Sequence, residues 1–282
     1  MKNDAYMLSK YPSIEVNGFG LEDDNPVIIK SRVHGLFACF YCILYGLYIC
    51  EVEKFKAYVL LGSDHLYHDI KYGPNIFEYF YDQPDFEYTD KQSNYRTIVV
   101  LNPGVFIRWC NISMVERRMS HYLIKKYFVL NLDIKSAIDS IHSSFRDFRT
   151  LAVHYRGRDK AEETPIPHFS EFETVIDNLF AKNLIDRMFF STDELHLRNY
   201  VKEKYGDLAI SYDLEGDYNH ITKENRTGLH FELKSPYLHA KDALIECYLL
   251  SRSDLYLSSH KSSMSLFTTF IEPNIPHIII EA

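Results

Sequence analysis

Apolar and polar positions follow two alternating periods through the second half of the chain. Short runs rich in apolar residues predict strands at 150–156, 187–192, 208–211, 255–259 and 277–281. Segments with apolar residues three or four positions apart predict helices at 169–183, 193–206, 236–253 and 262–272. Strands that alternate with helices are typical of a parallel, doubly wound sheet, so this half is predicted to be an α/β domain.

The first half follows the same pattern less regularly. It is predicted to contain strands at 57–62 and 97–102 and helices at 35–54, 113–128 and 133–146. These elements fit a second α/β domain with a border near residues 146–150, which gives domains at 1–148 and 149–282. Two α/β domains that face each other across a cleft commonly bind a nucleotide and a second substrate.

The longest apolar run, GLFACFYCILYGLYIC, covers residues 35–50. It has 16 residues, fewer than the roughly 20 that a membrane-spanning helix needs, and it contains tyrosines and glycines. We therefore expect a buried core helix and no membrane span. The N-terminal segment lacks the apolar core of a signal peptide, and the five cysteines form no disulfide framework. These features predict a cytoplasmic protein with reduced thiols.

Acidic residues outnumber basic ones, 39 to 31, and give the chain a net charge of −8. Such a balance excludes a general attraction to nucleic acid or to an anionic membrane. An anionic ligand therefore needs a local cationic site. No nucleic-acid partner and no cofactor are expected.

A dense cluster of charge follows the first strand of the second half, at the carboxyl end where open α/β sheets bind ligands. Gly157 allows the chain to turn there. The cluster consists of His154, Arg156, Arg158, Asp159 and Lys160. Arginine binds phosphate with a geometry that lysine does not match. The alternative is a solvated loop with an internal pair between Arg158 and Asp159.

Two further polar clusters end the neighbouring strands. Thr192 and Asp193 follow Ser191 in the sequence STDE, where their alternative role is to cap the next helix. The segment SSHKSSMS, residues 258–265, precedes another helix, whose N-terminus can bind phosphate. In it His260, Lys261, Ser262 and Ser263 are candidate donor-binding residues, and a plain serine cap is the alternative.

The helix before that segment is apolar except for Lys241 and a stripe formed by Asp242 and Glu246. These carboxylates are four positions apart and therefore share one face of the helix. A carboxylate there could accept the paired N–H groups of a guanine edge or the hydroxyls of a ribose. The alternative is a salt bridge to an arginine or lysine of the other domain.

The motif H-x-R-x-x-D-K, from His154 to Lys160, resembles the phosphate-binding motif of the α-1,6-fucosyltransferases, including the nodulation fucosyltransferases. It is similar, more distantly, to that of the α-1,2- and protein O-fucosyltransferases. FFSTDE and SRSDLYLSSHKSSMS resemble the second and third motifs of that superfamily, in the same order, so the likeness covers about residues 149–270. It implies a two-domain GT-B glycosyltransferase that inverts the anomeric centre and needs no metal.

The resemblance also implies roles for individual residues. Arg156 would bind the β-phosphate of the donor, His154 would lie beside the base or ribose, and Ser262 and Ser263 would hold the diphosphate. Glu246 falls where the family has a base-reading aspartate, counted back from the matched Asp254.

Lys160 and a nearby glutamate, Glu162 or Glu163, would flank the reacting sugar by the same resemblance. The chain departs from the family in two places. Gly157 interrupts the arginine pair, and the glycine-rich loop of the first domain remains only as HGLFACF, with His34 and Gly35. A UDP-sugar such as UDP-xylose is therefore an alternative donor to GDP-fucose.

We accordingly expect a nucleotide-sugar donor, a glycan acceptor and a cationic motif that neutralises the leaving diphosphate. Inversion also needs a base for the acceptor hydroxyl, and the candidates are Asp64 and Asp69 of GSDHLYHD and Glu163. A non-catalytic nucleotide-sugar binding module is the alternative from another class. A phosphatase or kinase ranks last, because the chain has no P-loop and no metal-binding carboxylate cluster.

Overall fold

A computed structural model describes residues 2–20, 24–32, 35–86, 95–101, 113–157, 165, 167–218, 234–259 and 262–281. The chain divides into two compact units, Met1–Asn131 and Leu132–Ala282. Both combine helices with parallel strands, so the predicted α/β class is confirmed.

The helices and strands of the first unit are α1 (Asp4–Lys10), β1 (Ile14–Asn17), β2 (Val27–Ser31), α2 (Leu36–Glu53), β3 (Ala57–Val59), β4 (Tyr81–Asp82), β5 (Thr97–Val100), α3 (Met114–Tyr127) and β6 (Val129–Leu130). Four of the strands form a sheet of order β1-β5-β2-β3, in which β1 is antiparallel to β5 and the other neighbours are parallel. A small antiparallel pair, β4 and β6, lies apart from that sheet.

Helix α2 is the core of the first unit. It is apolar on all sides, as a helix enclosed by protein must be, and it packs against β2 and β5. By length and composition α2 is the one described helix that could cross a membrane, with a mean hydropathy of 1.6, and 78% of that segment is buried. Its last residue, Glu53, binds Lys10 Nζ at 2.6 Å and Lys2 Nζ at 2.8 Å, which ties α1 to its C-terminal end.

The helices and strands of the second unit are α4 (Leu132–His142), β7 (Thr150–Tyr155), α5 (Phe169–Ala181), β8 (Arg187–Thr192), α6 (Leu195–Tyr205), β9 (Ala209–Ile210), α7 (Pro236–Leu250), β10 (Leu255–Ser259), α8 (Ser263–Ile271) and β11 (His277–Ile280). The five strands form a fully parallel sheet of order β11-β10-β7-β8-β9. All five predicted strands and all four predicted helices of this half are present, with ends shifted by a few residues.

The sheet of the second unit is wound in two directions from β7. The chain runs from β7 through β8 to β9 on one side and returns to place β10 and β11 on the other. Helices α5 and α6 cover the face of Leu151 and Val153, and α7 packs on β7 and β8. The strand order therefore reverses between β7 and β10, and in open α/β sheets ligands bind outside the carboxyl ends at this point.

The structure differs from the sequence predictions mainly in the first half. Helix α1 and strands β1 and β2 are absent from the prediction, although β2 is an inner strand that pairs with both β3 and β5. Helix α4, which the sequence analysis places before the domain border, packs on α7 in the second unit. An ion pair between Asp139 and Arg252, 2.6 Å apart, fixes this contact.

Gly46 lets α2 approach the first sheet closely, and replacing it by alanine tests this packing. A Cβ at position 46 would lie 2.4 Å from Ile29 Cγ2, an atom of a stiff, buried side chain on β2. We expect Gly46→Ala to lower the free energy of unfolding by about 1–3 kcal/mol through overpacking, measured by urea denaturation. Gly20→Ala is the control, because a Cβ there meets nothing within 4 Å. Equal stability of both variants would contradict the close packing.

Candidate functional site

A row of polar side chains crosses the carboxyl end of the second sheet. Ser191 on β8, His154 on β7 and Ser258 on β10 are paired in register, and we call these three residues the polar row. All three are buried. A buried polar group needs a hydrogen-bond partner. The elements next to the row must therefore supply side chains that can hydrogen-bond to it.

Each member of the polar row has a side-chain partner on another element. Ser191 Oγ donates to Glu246 Oε2 of α7 at 2.9 Å. His154 Nδ1 lies 2.7 Å from Ser265 Oγ of α8. Ser258 Oγ lies 2.9 Å from His277 Nε2 of β11. The row therefore fastens α7 and α8 over the end of the sheet.

His154 is kept neutral by its surroundings. Burial lowers the pKa of its imidazole to about 3, and the neighbouring charge of Arg156 acts in the same direction. A neutral ring can donate from one nitrogen and accept at the other. At physiological pH, His154 therefore adds no charge to the site.

Arg156 lies just beyond the polar row and is held by the end of the next strand. Its Nη1 lies 2.8 Å from Asp193 Oδ2, and the backbone N–H of Gly157 donates to Asp193 Oδ1 at 3.3 Å. The Arg156 side chain is 22% exposed and that of Asp193 is 7% exposed. A fixed, partly desolvated guanidinium at this edge is suited to bind an anion.

Gly157 makes a close approach to the next strand end possible. A Cβ at this position would lie 1.6 Å from Glu194 Oε1. Glu194, and not Thr192 or Asp193, is the N-cap residue of α6, and it makes no side-chain cap hydrogen bond. The alternative that Asp193 caps this helix is therefore wrong, because its carboxylate binds Arg156. Thr192 Oγ1 accepts from Glu194 N at 3.2 Å.

A second buried ion pair joins Arg198 of α6 to Glu246 of α7. Their side chains are only 10% and 8% exposed. Arg198 Nη2 donates to Glu246 Oε1, its Nε to Thr192 O at 3.0 Å, and its Nη1 to Tyr212 O at 3.4 Å. Sequence reasoning missed Arg198. The available signal was its spacing, since it lies three residues before the buried Val201 and seven before the buried Tyr205, on the inner face of α6.

Asp242, the other acidic residue of α7, holds the chain segment that follows β9. Its Oδ1 accepts from Glu215 N at 3.0 Å, and its Oδ2 accepts from Gly216 N at 2.9 Å and from Tyr218 Oη at 2.9 Å. All four carboxylate oxygens of Asp242 and Glu246 therefore have protein partners. The ion pair of Glu246 is made within the second unit, not with the other domain.

The serine-rich turn after β10 leads into helix α8. Ser262 is its N-cap residue, and the Ser262 Oγ accepts from Ser265 N at 3.4 Å. Ser263 is the first helical residue. The cap predicted as the plain alternative is thus present, and the N-terminus of α8 begins at the carboxyl end of β10, beside β7.

The three described site candidates of the first unit lie in different local environments. Gly35 is the N-cap residue of α2, with open space where a Cβ would lie. Asp64 has a side chain that is 72% exposed, and its Oδ1 lies 4.0 Å from His65 Nε2. Asp69 caps a short 3₁₀ turn by accepting from Lys71 N at 3.1 Å.

Several predicted site residues lie outside the described ranges. They are His34, Arg158, Asp159, Lys160, Glu162, Glu163, His260 and Lys261. Within the part of the chain that the structure describes, no group of three or more His, Cys, Asp or Glu side chains could hold a metal ion.

Comparisons with known proteins show that solved structures share this fold. No protein-family model matches the sequence, and a search of curated proteins finds no match. Among solved structures, NodZ α-1,6-fucosyltransferase soaked with GDP-fucose is similar at a TM-score of 0.55 and 15% identity, covering 91% of this chain and 94% of that one. A structure of NodZ from Bradyrhizobium has a TM-score of 0.54 at 15% identity, over 91% and 96% of the two chains.

POFUT1 in its apo form has a TM-score of 0.55 at 9% identity, over 92% of this chain and 99% of that one. A mutant of FUT1 from Arabidopsis thaliana in complex with GDP has a TM-score of 0.51 at 10% identity, over 92% and 71%. At these identities the likeness shows the fold, which is the GT-B fold of the fucosyltransferases. The fold expected from the three motifs is confirmed.

The neutral state of His154 has a consequence for stability in acid. The unfolded chain binds a proton at this residue below a pKa of about 6.5, whereas the folded chain does not until about pH 3. His154 therefore contributes fully to the free energy of unfolding above about pH 6.5, and this contribution is lost as the pH falls towards 3, by up to about 1.4 kcal/mol per pH unit. We expect the free energy of unfolding of His154→Gln, measured by urea denaturation, to fall less steeply with pH over this range. Equal slopes for the variant and the wild type would contradict the burial of a neutral ring.

Proposed function

We propose that this protein is a nucleotide-sugar-dependent glycosyltransferase of the fucosyltransferase type, which transfers a sugar to a hydroxyl of a glycan. The observation that carries the proposal is the position of Arg156. Its guanidinium is fixed 2.8 Å from Asp193 at the carboxyl end of β7. The strand order reverses between β7 and its other neighbour, β10, and α8 begins after the carboxyl end of β10. A cation and oriented helix N–H groups at one sheet edge suit a diphosphate.

In this proposal the second unit binds the donor, and the first unit, which forms most of the predicted acceptor-side domain 1–148, binds the acceptor. Arg156 contacts the leaving diphosphate and stabilises the charge that develops on it in the transition state. Ser262 and Ser263 bring the N-terminus of α8 to the phosphates. His154 lies beside the base or ribose. GDP-fucose is the first donor to test, because one NodZ structure was soaked with GDP-fucose and another was co-crystallised with GDP. A UDP-sugar is the second.

Direct inversion at the anomeric carbon requires a base that takes the proton of the acceptor hydroxyl. Of the described candidates, the exposed carboxylate of Asp64 is better suited than that of Asp69, which already caps a turn. Glu163 remains the candidate implied by the resemblance. We place the protein in the cytoplasm, since Cys39, Cys42, Cys50 and Cys247 are free thiols.

Nucleotide binding is the first test of this function. A ligand that binds only the folded state raises the melting temperature, so GDP should raise it more than UDP, ADP or CMP do. A larger shift with UDP would favour the UDP-sugar donor. Stabilisation without any release of GDP from GDP-fucose or of UDP from UDP-sugars, over a panel of glycan acceptors, would favour the non-catalytic binding module.

Arg156→Ala should lower the rate of sugar transfer by about 10²–10³-fold, because it removes charge stabilisation at the leaving diphosphate. Initial rates of GDP release measure this effect. Arg149→Ala is the matched control, since Arg149 forms an exposed pair with Asp186, 2.6 Å apart, at the amino end of the same strand. If the two variants retained similar activity, the phosphate role of Arg156 would be wrong.

Activity should persist in excess EDTA, because arginine and a helix N-terminus replace the charge of a cation at the diphosphate. The measurement compares transfer rates in EDTA with those in Mg²⁺ or Mn²⁺. Loss of transfer on chelation that either metal restores would reject the metal-independent mechanism while leaving the glycosyltransferase class in place.

A further inference from the structure

We propose that Arg198 and Glu246 are positioning residues for the donor site, which fix the end of β8 and through it the orientation of Arg156. This inference rests on the proposed function, because Arg156 is taken as the group that binds the diphosphate. Neither side chain needs to touch the donor. Their effect passes through Thr192 and Asp193.

The first step concerns the end of β8, which extends beyond its neighbour. In the described part of the chain, β8 and β9 pair only through Met188 with Ala209 and Phe189 with Ile210. Arg198 bridges the two segments where this pairing stops. Its Nε donates to Thr192 O on β8 and its Nη1 to Tyr212 O after β9. The guanidinium thus takes the place of ladder hydrogen bonds between the two strands.

The second step is the fixing of Arg198 itself. Glu246 accepts from Arg198 Nη2 through one oxygen and from Ser191 Oγ through the other. Ser191 directly precedes Thr192 on β8. The carboxylate of Glu246 therefore binds both strand β8 and Arg198, the arginine that binds the end of this strand. A buried charge without its partner strongly destabilises a protein. The guanidinium of Arg198 is therefore favoured in the position where it pairs with Glu246.

The third step leads from the strand end to the phosphate-binding group. Asp193 follows Thr192 and holds Arg156 at 2.8 Å and Gly157 N at 3.3 Å. The backbone of Asp193 cannot shift without moving the carbonyl that Arg198 binds. A misplacement of about 1 Å in a binding group can lower a rate by about 100-fold. The position of Arg156 therefore depends on contacts made by Arg198.

Arg198→Lys separates geometry from charge. Lysine retains the charge that pairs with Glu246, but an ammonium group lacks the rigid fork that reaches three acceptors in different directions. If positioning matters, the charge alone does not restore the site. Arg149→Lys is the matched control, because Arg149 also makes three side-chain hydrogen bonds, to both oxygens of Asp186 and to Asn183 O, at the amino ends of β7 and β8.

We expect Arg198→Lys to weaken the binding of inorganic pyrophosphate and of GDP by about tenfold or more, and to lower kcat at saturating donor by a similar factor. Titration calorimetry and initial rates measure the two effects. Arg149→Lys should change both by less than about twofold. Unchanged pyrophosphate affinity and kcat in Arg198→Lys, with only a lowered melting temperature, would overturn the positioning role.

Glu246→Gln gives an independent measurement if Arg198→Lys does not fold. Positioning predicts weaker binding of pyrophosphate as well as of every nucleoside diphosphate. If Glu246 instead reads the base, pyrophosphate affinity stays the same while the preference among GDP, UDP and ADP is lost, and the inference is overturned. A wild-type protein that binds neither pyrophosphate nor any nucleotide would reject the proposed function itself, and the inference with it.

Discussion

Polar groups buried at the carboxyl end of a parallel sheet are the constraint on which the second unit depends. The polar row crosses three neighbouring strands at a depth where water does not reach. Its members must be paired by side chains of other elements, because an unpaired buried hydroxyl or imidazole costs about 1–3 kcal/mol. Glu246, Ser265 and His277 meet this requirement from α7, α8 and β11. The same contacts that stabilise the fold therefore set the floor of the site.

Two ion pairs border the polar row and have different roles in the proposed function. Arg198 and Glu246 are nearly enclosed, whereas Arg156 is partly open to solvent and paired with Asp193. Each of these two arginines is paired with one carboxylate. In the proposed function, a diphosphate binds Arg156 while Asp193 and the inner pair hold the arginine in place. The inner pair positions the end of β8, and Arg156 of the outer pair contacts the ligand.

The sequence predicted the second unit more completely than the first because its signals are local and regular. Strand β8 has the predicted bounds, since its apolar residues are flanked by charged ones. Strand β2 escaped prediction because no regular alternation of strands and helices surrounds it along the chain, and its place inside a sheet depends on distant partners. Arg198 escaped for a related reason. Its role arises from Glu246, 48 positions away, and no local pattern records that contact.

The long sequence separations within the site also bear on the order in which the protein folds. His154 and Ser265 are 111 residues apart, and Thr150 N and Asp254 Oδ2, bonded at 2.8 Å, are 104 apart. Contacts between distant segments, and parallel strand pairing in particular, form slowly because the chain loses loop entropy before they contribute any stability. We therefore expect the polar row to close after the local helices of the second unit. Substitutions at the row are then expected to act on the unfolding rate more than on the folding rate.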